Sequence, residues 1–131
     1  MELKRVVVTG LGAISPLGSD LASTWEGMKA GRSGAAPITL WDASKHKTQF
    51  ACEVKGFDPA EHFDRKEARK FDRYTMFALV SAEEALKDSG LDLESADKNR
   101  IGVIFTSGVG GIKTLRMRCS ITILREVPAS T

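Results

Sequence analysis

Two short β-branched apolar runs, each followed at once by a glycine-rich segment, limit the architecture of this chain more than any other feature. Val6, Val7 and Val8 follow one another within Arg5 to Thr9, and Ile101, Val103, Ile104 and Phe105 form the second run. Runs without polar alternation are typical of strands buried on both faces, which places helices on either side of a mainly parallel sheet. Between the runs the sequence reads helix, irregular stretch, helix, so the order predicts an α/β layered architecture. Two strands are too few to complete such a sheet, and the domain is expected to be unfinished.

The helices announce themselves by their ends. Asp20 is placed to cap a helix in which Leu21, Trp25 and Met28 form one apolar stripe, and Gly31 closes it. Residues 32 to 63 are divided by Gly34, Pro37, Gly56 and Pro59 and predict an irregular excursion, with Gln49 to Val54 as a candidate strand. Asp64 and Glu67 resemble a capping box opening a helix that runs to Ser89, with Gly90 at the C′ position. Its middle, Tyr74 to Ala82, is apolar on nearly all sides, as in a helix buried within a layered core. A polar turn from Asp92 to Asn99 then leads into the second run.

Several function classes are disfavoured by composition. The 131 residues suit one domain or part of one, and a formal net charge of +2 is too small for the dense basic face of a nucleic-acid binder. No stretch approaches the roughly 20 apolar residues that span a bilayer, and Met1 to Gly10 reads as a strand rather than a signal peptide, so a cytoplasmic location is expected. Cys52 and Cys119 are too few for a disulfide framework, and with only His46 and His62 beside them no metal site is expected. Cys52, within Phe50 to Val54, reads as a small core or sheet residue.

Three segments could carry function. Gly10 to Gly18 follows a strand and precedes a helix, but Ser15 stands where a dinucleotide fingerprint needs its third glycine and Pro16 lacks an N–H to offer a phosphate. A tight structural loop is the better account, and no cofactor is expected. Lys66, Arg69, Lys70 and Arg73 share one face of the expected long helix, near an N-terminus whose macrodipole disfavours cations. Glu67 and Asp72 would offset part of that charge, leaving either a solvated face or a docking patch for an acidic partner. Ser107-Gly108-Val109-Gly110-Gly111 allows close backbone approach, which serves a tight turn as well as a ligand.

Taken in order, Arg5 to Gly12 with Ser15-Pro16-Leu17-Gly18, then Arg65 to Arg73, then Arg100-Ile101-Gly102-Val103 with Ser107 to Gly111, resemble the type II β-ketoacyl-acyl-carrier-protein synthases over about residues 3 to 115. The resemblance implies the N-terminal part of a thiolase-like layered α-β-α-β-α fold. It also implies an acyltransferase of fatty acid elongation, joining an acyl thioester to malonyl-acyl carrier protein by decarboxylating Claisen condensation. The family's nucleophilic cysteine and two histidines come later in its sequence, so no catalytic residue is assigned to this chain. What carries over is Lys66, Arg69 and Lys70 as grips for an acidic acyl carrier protein, and Val109 as a residue lining the acyl pocket. The family forms homodimers, through contacts expected largely beyond these residues.

From Arg116 to Thr131 the resemblance ends, and this stretch reads as a non-family tail of the kind a frameshift after Leu115 would produce. On that reading the chain alone is expected to be inactive, with apolar faces uncovered and a tendency to aggregate. The alternatives are a non-catalytic docking module for an acyl carrier protein and, from a different class, a small nucleotide-dependent oxidoreductase.

Overall fold

The computed structural model describes residues 3–112, 114 and 115. Its elements in chain order are helix α1 (Leu21–Lys29), strands β1 (Ala36–Pro37) and β2 (Phe50–Ala51), helix α2 (Arg65–Ala68) and helix α3 (Arg73–Ser89). Single 3-10 turns lie at Pro59–Glu61 and Lys98–Arg100.

Helix ends follow the local chemistry. Asp20 accepts a hydrogen bond from the Ser23 amide at 2.6 Å while the Ser23 hydroxyl faces the Asp20 amide, completing a reciprocal cap at the start of α1. Gly31 follows its end with φ of 63°. Gly90 closes α3 in the left-handed conformation, φ 64°, which a side chain would disfavour.

Several expectations are corrected. The helix from Asp64 to Ser89 is two helices, because the turn at Arg69 to Asp72 interrupts it and Asp72 is extended, with ψ of 155°. The apolar runs at 6–8 and 101–105 have no ladder partners among the described residues, whose sheet is instead the antiparallel pair β1–β2, Ala36 opposite Ala51. Val6 is 89% exposed and Ile104 90%, since two runs cannot by themselves supply a sheet with covered faces. Along α1 the buried residues are Thr24 and Gly27 rather than the apolar stripe; Trp25 and Met28 are more than half exposed.

The reason for that rotation is polar. The Thr24 hydroxyl shares a 2.9 Å hydrogen bond with the Ser15 hydroxyl and donates to the Gly18 carbonyl, turning this face of α1 onto the glycine loop. Trp25 instead joins Leu11, Leu21 and Ala22 along an open groove of about 820 Å³ beside α3. The apolar middle of α3 is likewise only partly covered: Met76 is buried, whereas Tyr74, Leu79 and Leu86 remain exposed. Cys52 is exposed, not a core residue, because the β1–β2 pair ends at Ala51.

Helix α3 organises what is covered. The loop 10–18 lies against its C-terminal half, and the glycines at 110 and 111 lie against its first residues. Phe105, Thr106 and Ser107 reach the same helix beside Gly12 to Ile14, around a cavity of about 380 Å³ with Tyr74, Phe77, Ala78 and Ser81.

Candidate functional site

The loop 10–18 is held by backbone hydrogen bonds to acidic side chains. The Leu11 amide donates to Asp88 at 2.9 Å, and the Ala13 amide to Glu84 at 2.8 Å. The other Glu84 oxygen accepts from the Leu21 amide at 2.8 Å, so one carboxylate ties the loop and satisfies a free N–H of the α1 N-terminus. A side chain at Gly10 would meet the Ala85 carbonyl, and one at Gly12 the Ser81 carbonyl. N–H groups that a dinucleotide loop aims at phosphate are here occupied by the protein's own carboxylates, which supports the structural account of this loop. Glu84 and Asp88 escaped sequence reasoning; their signal is a pair of acids four residues apart, and so on one face, following the apolar middle of the helix.

The basic cluster is built on α2. Asp64 accepts from the Lys66 and Glu67 amides, each at 2.7 Å, starting a helix of four residues that cannot persist on propensity alone. Phe63 and Phe71, flanking it, meet edge to face with ring centroids 5.7 Å apart and close the segment on itself. Lys66, Arg69 and Lys70 are exposed and make no ion pair among the described residues. For Arg69 and Lys70 the expected penalty from the macrodipole is relieved by the break, since they stand at the carbonyl end of α2.

Arg73 leaves the stripe for the same reason. Its Nη2 donates to the Val54 carbonyl at 2.8 Å, and its guanidinium lies over the rings of Phe77 and Phe57, 4.9 and 5.6 Å from their centroids. The expected local offset by Glu67 and Asp72 is absent as ion pairing among the described residues; the Asp72 carboxylate accepts from the Thr114 hydroxyl.

The second glycine loop is looser. The Gly110 amide donates to the Ser107 hydroxyl at 3.0 Å, and a side chain at Gly111 would strike the Asp72 carboxylate. Val109 stands 70% exposed and lines none of the cavities described here. A space of about 580 Å³ runs from Gly110, Gly111 and Ile112 to Phe71, Asp72 and Tyr74. The fold thus brings the end of the α2 turn and the second glycine loop to one place, although Val109 does not line that space.

His46 packs edge to face on Trp41 at 4.8 Å, and His62 stacks on Phe57 at 5.4 Å. Among the described residues no three His, Cys, Asp or Glu side chains are grouped to hold a metal, and no helix is long and apolar enough to cross a membrane. The tail 116–131, with Cys119, lies outside the described residues.

Comparison with known proteins decides the family. The model of the β-ketoacyl synthase N-terminal domain matches residues 3–126. The chain belongs to the β-ketoacyl synthase family. It is 48% identical to a 3-oxoacyl-acyl-carrier-protein synthase 2 of Coxiella burnetii over 112 residues, 86% of this chain and 27% of the relative. Identity to the protein of that name from Synechocystis is 43% over 123 residues, 94% of this chain and 30% of the relative. The chain therefore spans less than a third of the length of these relatives. Among solved structures, a β-ketoacyl synthase from Burkholderia phymatum aligns with a TM-score of 0.74 at 30% identity, over 92% of this chain and 30% of that one. The described backbone is accordingly the N-terminal part of a thiolase-like ketosynthase fold. A type II PKS acyl-carrier protein in complex with its ketosynthase also matches, at TM-score 0.54 and 34% identity over 75% of this chain and 24% of that one.

Proposed function

We propose that this chain is the N-terminal part of a 3-oxoacyl-acyl-carrier-protein synthase, an acyltransferase that extends fatty acids by decarboxylating condensation with malonyl-acyl carrier protein, and that it contributes the carrier-docking face. The observation that carries the reading is the exposed set Lys66, Arg69 and Lys70, without ion pairs among the described residues, on one short capped helix and the turn that ends it, in a chain of this family. Nothing within the chain neutralises these cations among the described residues, so they offer a field that steers and orients an acidic partner which must later leave. The matching ketosynthase in complex with its acyl-carrier protein supports an acyl carrier protein as that partner.

Catalysis is assigned to no residue of this chain: Cys52 is an exposed free thiol, and His46 and His62 lie against aromatic rings. Val109 is proposed to line the acyl pocket of the whole enzyme, where a β-branched side chain on an exposed loop would meet a wall supplied by other segments. The whole enzyme is proposed to be a cytoplasmic homodimer. Since all three docking cations lie between residues 65 and 70, docking is separable from condensation, and a non-catalytic docking module is the second reading.

The test is carrier binding to this chain across a salt series, beside a variant carrying Lys66→Glu, Arg69→Glu and Lys70→Glu. Binding should weaken with salt and fall by about a hundredfold in the variant. Equal binding by both proteins would reject the docking face. Thiol-dependent condensation by the chain itself would reject the assignment of catalysis elsewhere.

A further inference from the structure

Arg73 has the spacing of a fourth docking cation and the surroundings of something else. Its guanidinium donates to the Val54 carbonyl at 2.8 Å and covers Phe57 and Phe77. From Phe57 a train of rings leads round the basic helix: Phe57 stacks on His62, His62 lies 6.3 Å from Phe63, and Phe63 meets Phe71. The segment from Phe57 to Phe71 is thus a loop carrying α2 at its tip, closed at its neck by Phe63 and Phe71 and at its base by Arg73. Phe57 is buried at that base, with its ring edge to face on Phe77 at 4.9 Å.

We propose that Arg73 is the positioning residue of the docking face: it makes no contact with the partner and holds the loop that presents Lys66, Arg69 and Lys70. This rests on the docking reading above. A four-residue helix has too little internal hydrogen bonding to hold three long cations in register, so their arrangement depends on how the loop is closed. A lysine at 73 would keep the charge and the ability to donate but lose the planar group that covers two rings while hydrogen-bonding a carbonyl.

The experiment pairs amide hydrogen exchange with carrier binding across a salt series, for the chain and for its Arg73→Gln, Arg73→Lys and Lys66→Gln variants. In Arg73→Gln, exchange should rise across residues 54–72 and stay unchanged in α1. Carrier affinity should fall about fivefold with the salt slope of the parent, and Arg73→Lys should recover part of the loss. Lys66→Gln should instead flatten the slope, as removal of a contacting charge does. A slope flattened equally by Arg73→Gln makes Arg73 a contact residue and overturns the proposal. So does exchange that is unchanged in 54–72, or raised in α1 to the same extent. If the parent chain does not bind the carrier, the docking reading fails and the positioning role with it, while the exchange data alone still report whether Arg73 holds the loop.

Discussion

The glycine-rich loops at 10–18 and 107–111 follow similar apolar runs and rest on the same helix, yet the first is closed and the second open. In the first, Asp88 and Glu84 take the amides of Leu11 and Ala13, and helix carbonyls fill the space beside Gly10 and Gly12. The second is closed only at its end, where a side chain at Gly111 would strike Asp72; at Gly108 a side chain would find nothing within 4 Å, and Val109 is exposed. The difference originates in α3, which presents two carboxylates to one loop, while the acid before its other end, Asp72, is already bonded to Thr114. Glycine content reports that a backbone comes close to something; whether that is a helix or a ligand is written in a different segment.

The largest effect that would test this contrast is Gly12→Val, where the new side chain meets a helix carbonyl that cannot turn away. It should lower stability by about 3 kcal/mol in a denaturant melt. An unchanged midpoint would break the distinction between the loops.

Next is Glu84→Ala, which strips the acceptor from the Ala13 and Leu21 amides and should cost about 2 kcal/mol, with faster exchange at both amides. The neighbouring Glu83→Ala makes the control, because Glu83 is exposed and enters none of these hydrogen bonds.

A pH titration sharpens the contrast further. The Ser23 hydroxyl, followed by the Ser23 amide, holds the Asp20 carboxyl below the ordinary aspartate range. A folded pKa lowered in this way adds stability that is present above the unfolded value and lost as pH falls through the folded one. Amide exchange in the first turn of α1, which leaves the closed loop, should therefore rise as Asp20 protonates, while the Ser107–Gly110 contact should not respond. The Asp20→Asn variant should flatten that dependence.

The smallest effect belongs to Gly108→Ala, expected within about 0.5 kcal/mol of the parent, since the added methyl meets nothing. A loss comparable to Gly12→Val would mean that the second loop is as closed as the first.

The caps at Asp20 and Asp64, the helix stops at Gly31 and Gly90 and the structural character of Gly10–Gly18 were legible in the sequence, because each depends on a few adjacent residues. Lys66, Arg69 and Lys70 were legible as cations close together in sequence, and all three are exposed. The break at 69–72 was not, because its cause is remote: the turn is held by Phe63 against Phe71 and by the Asp72 bond to Thr114, forty-two positions along the chain. The same holds for the face α1 buries, chosen by hydrogen bonds from Thr24 rather than by the period of its apolar residues.

The sequence by itself determined the family, the caps and stops of the helices, and which residues are charged near the proposed docking face, since motif spacing and local hydrogen bonding are properties of neighbours. Only the tertiary structure decided that Lys66, Arg69 and Lys70 sit on a separate short helix and the turn that ends it, that Arg73 turns to Val54 and two rings, and that Glu84 joins a loop to the start of another helix. The reason is physical: a backbone amide or a guanidinium takes whatever acceptor the fold brings within hydrogen-bond distance, and sequence spacing alone does not determine which one that will be.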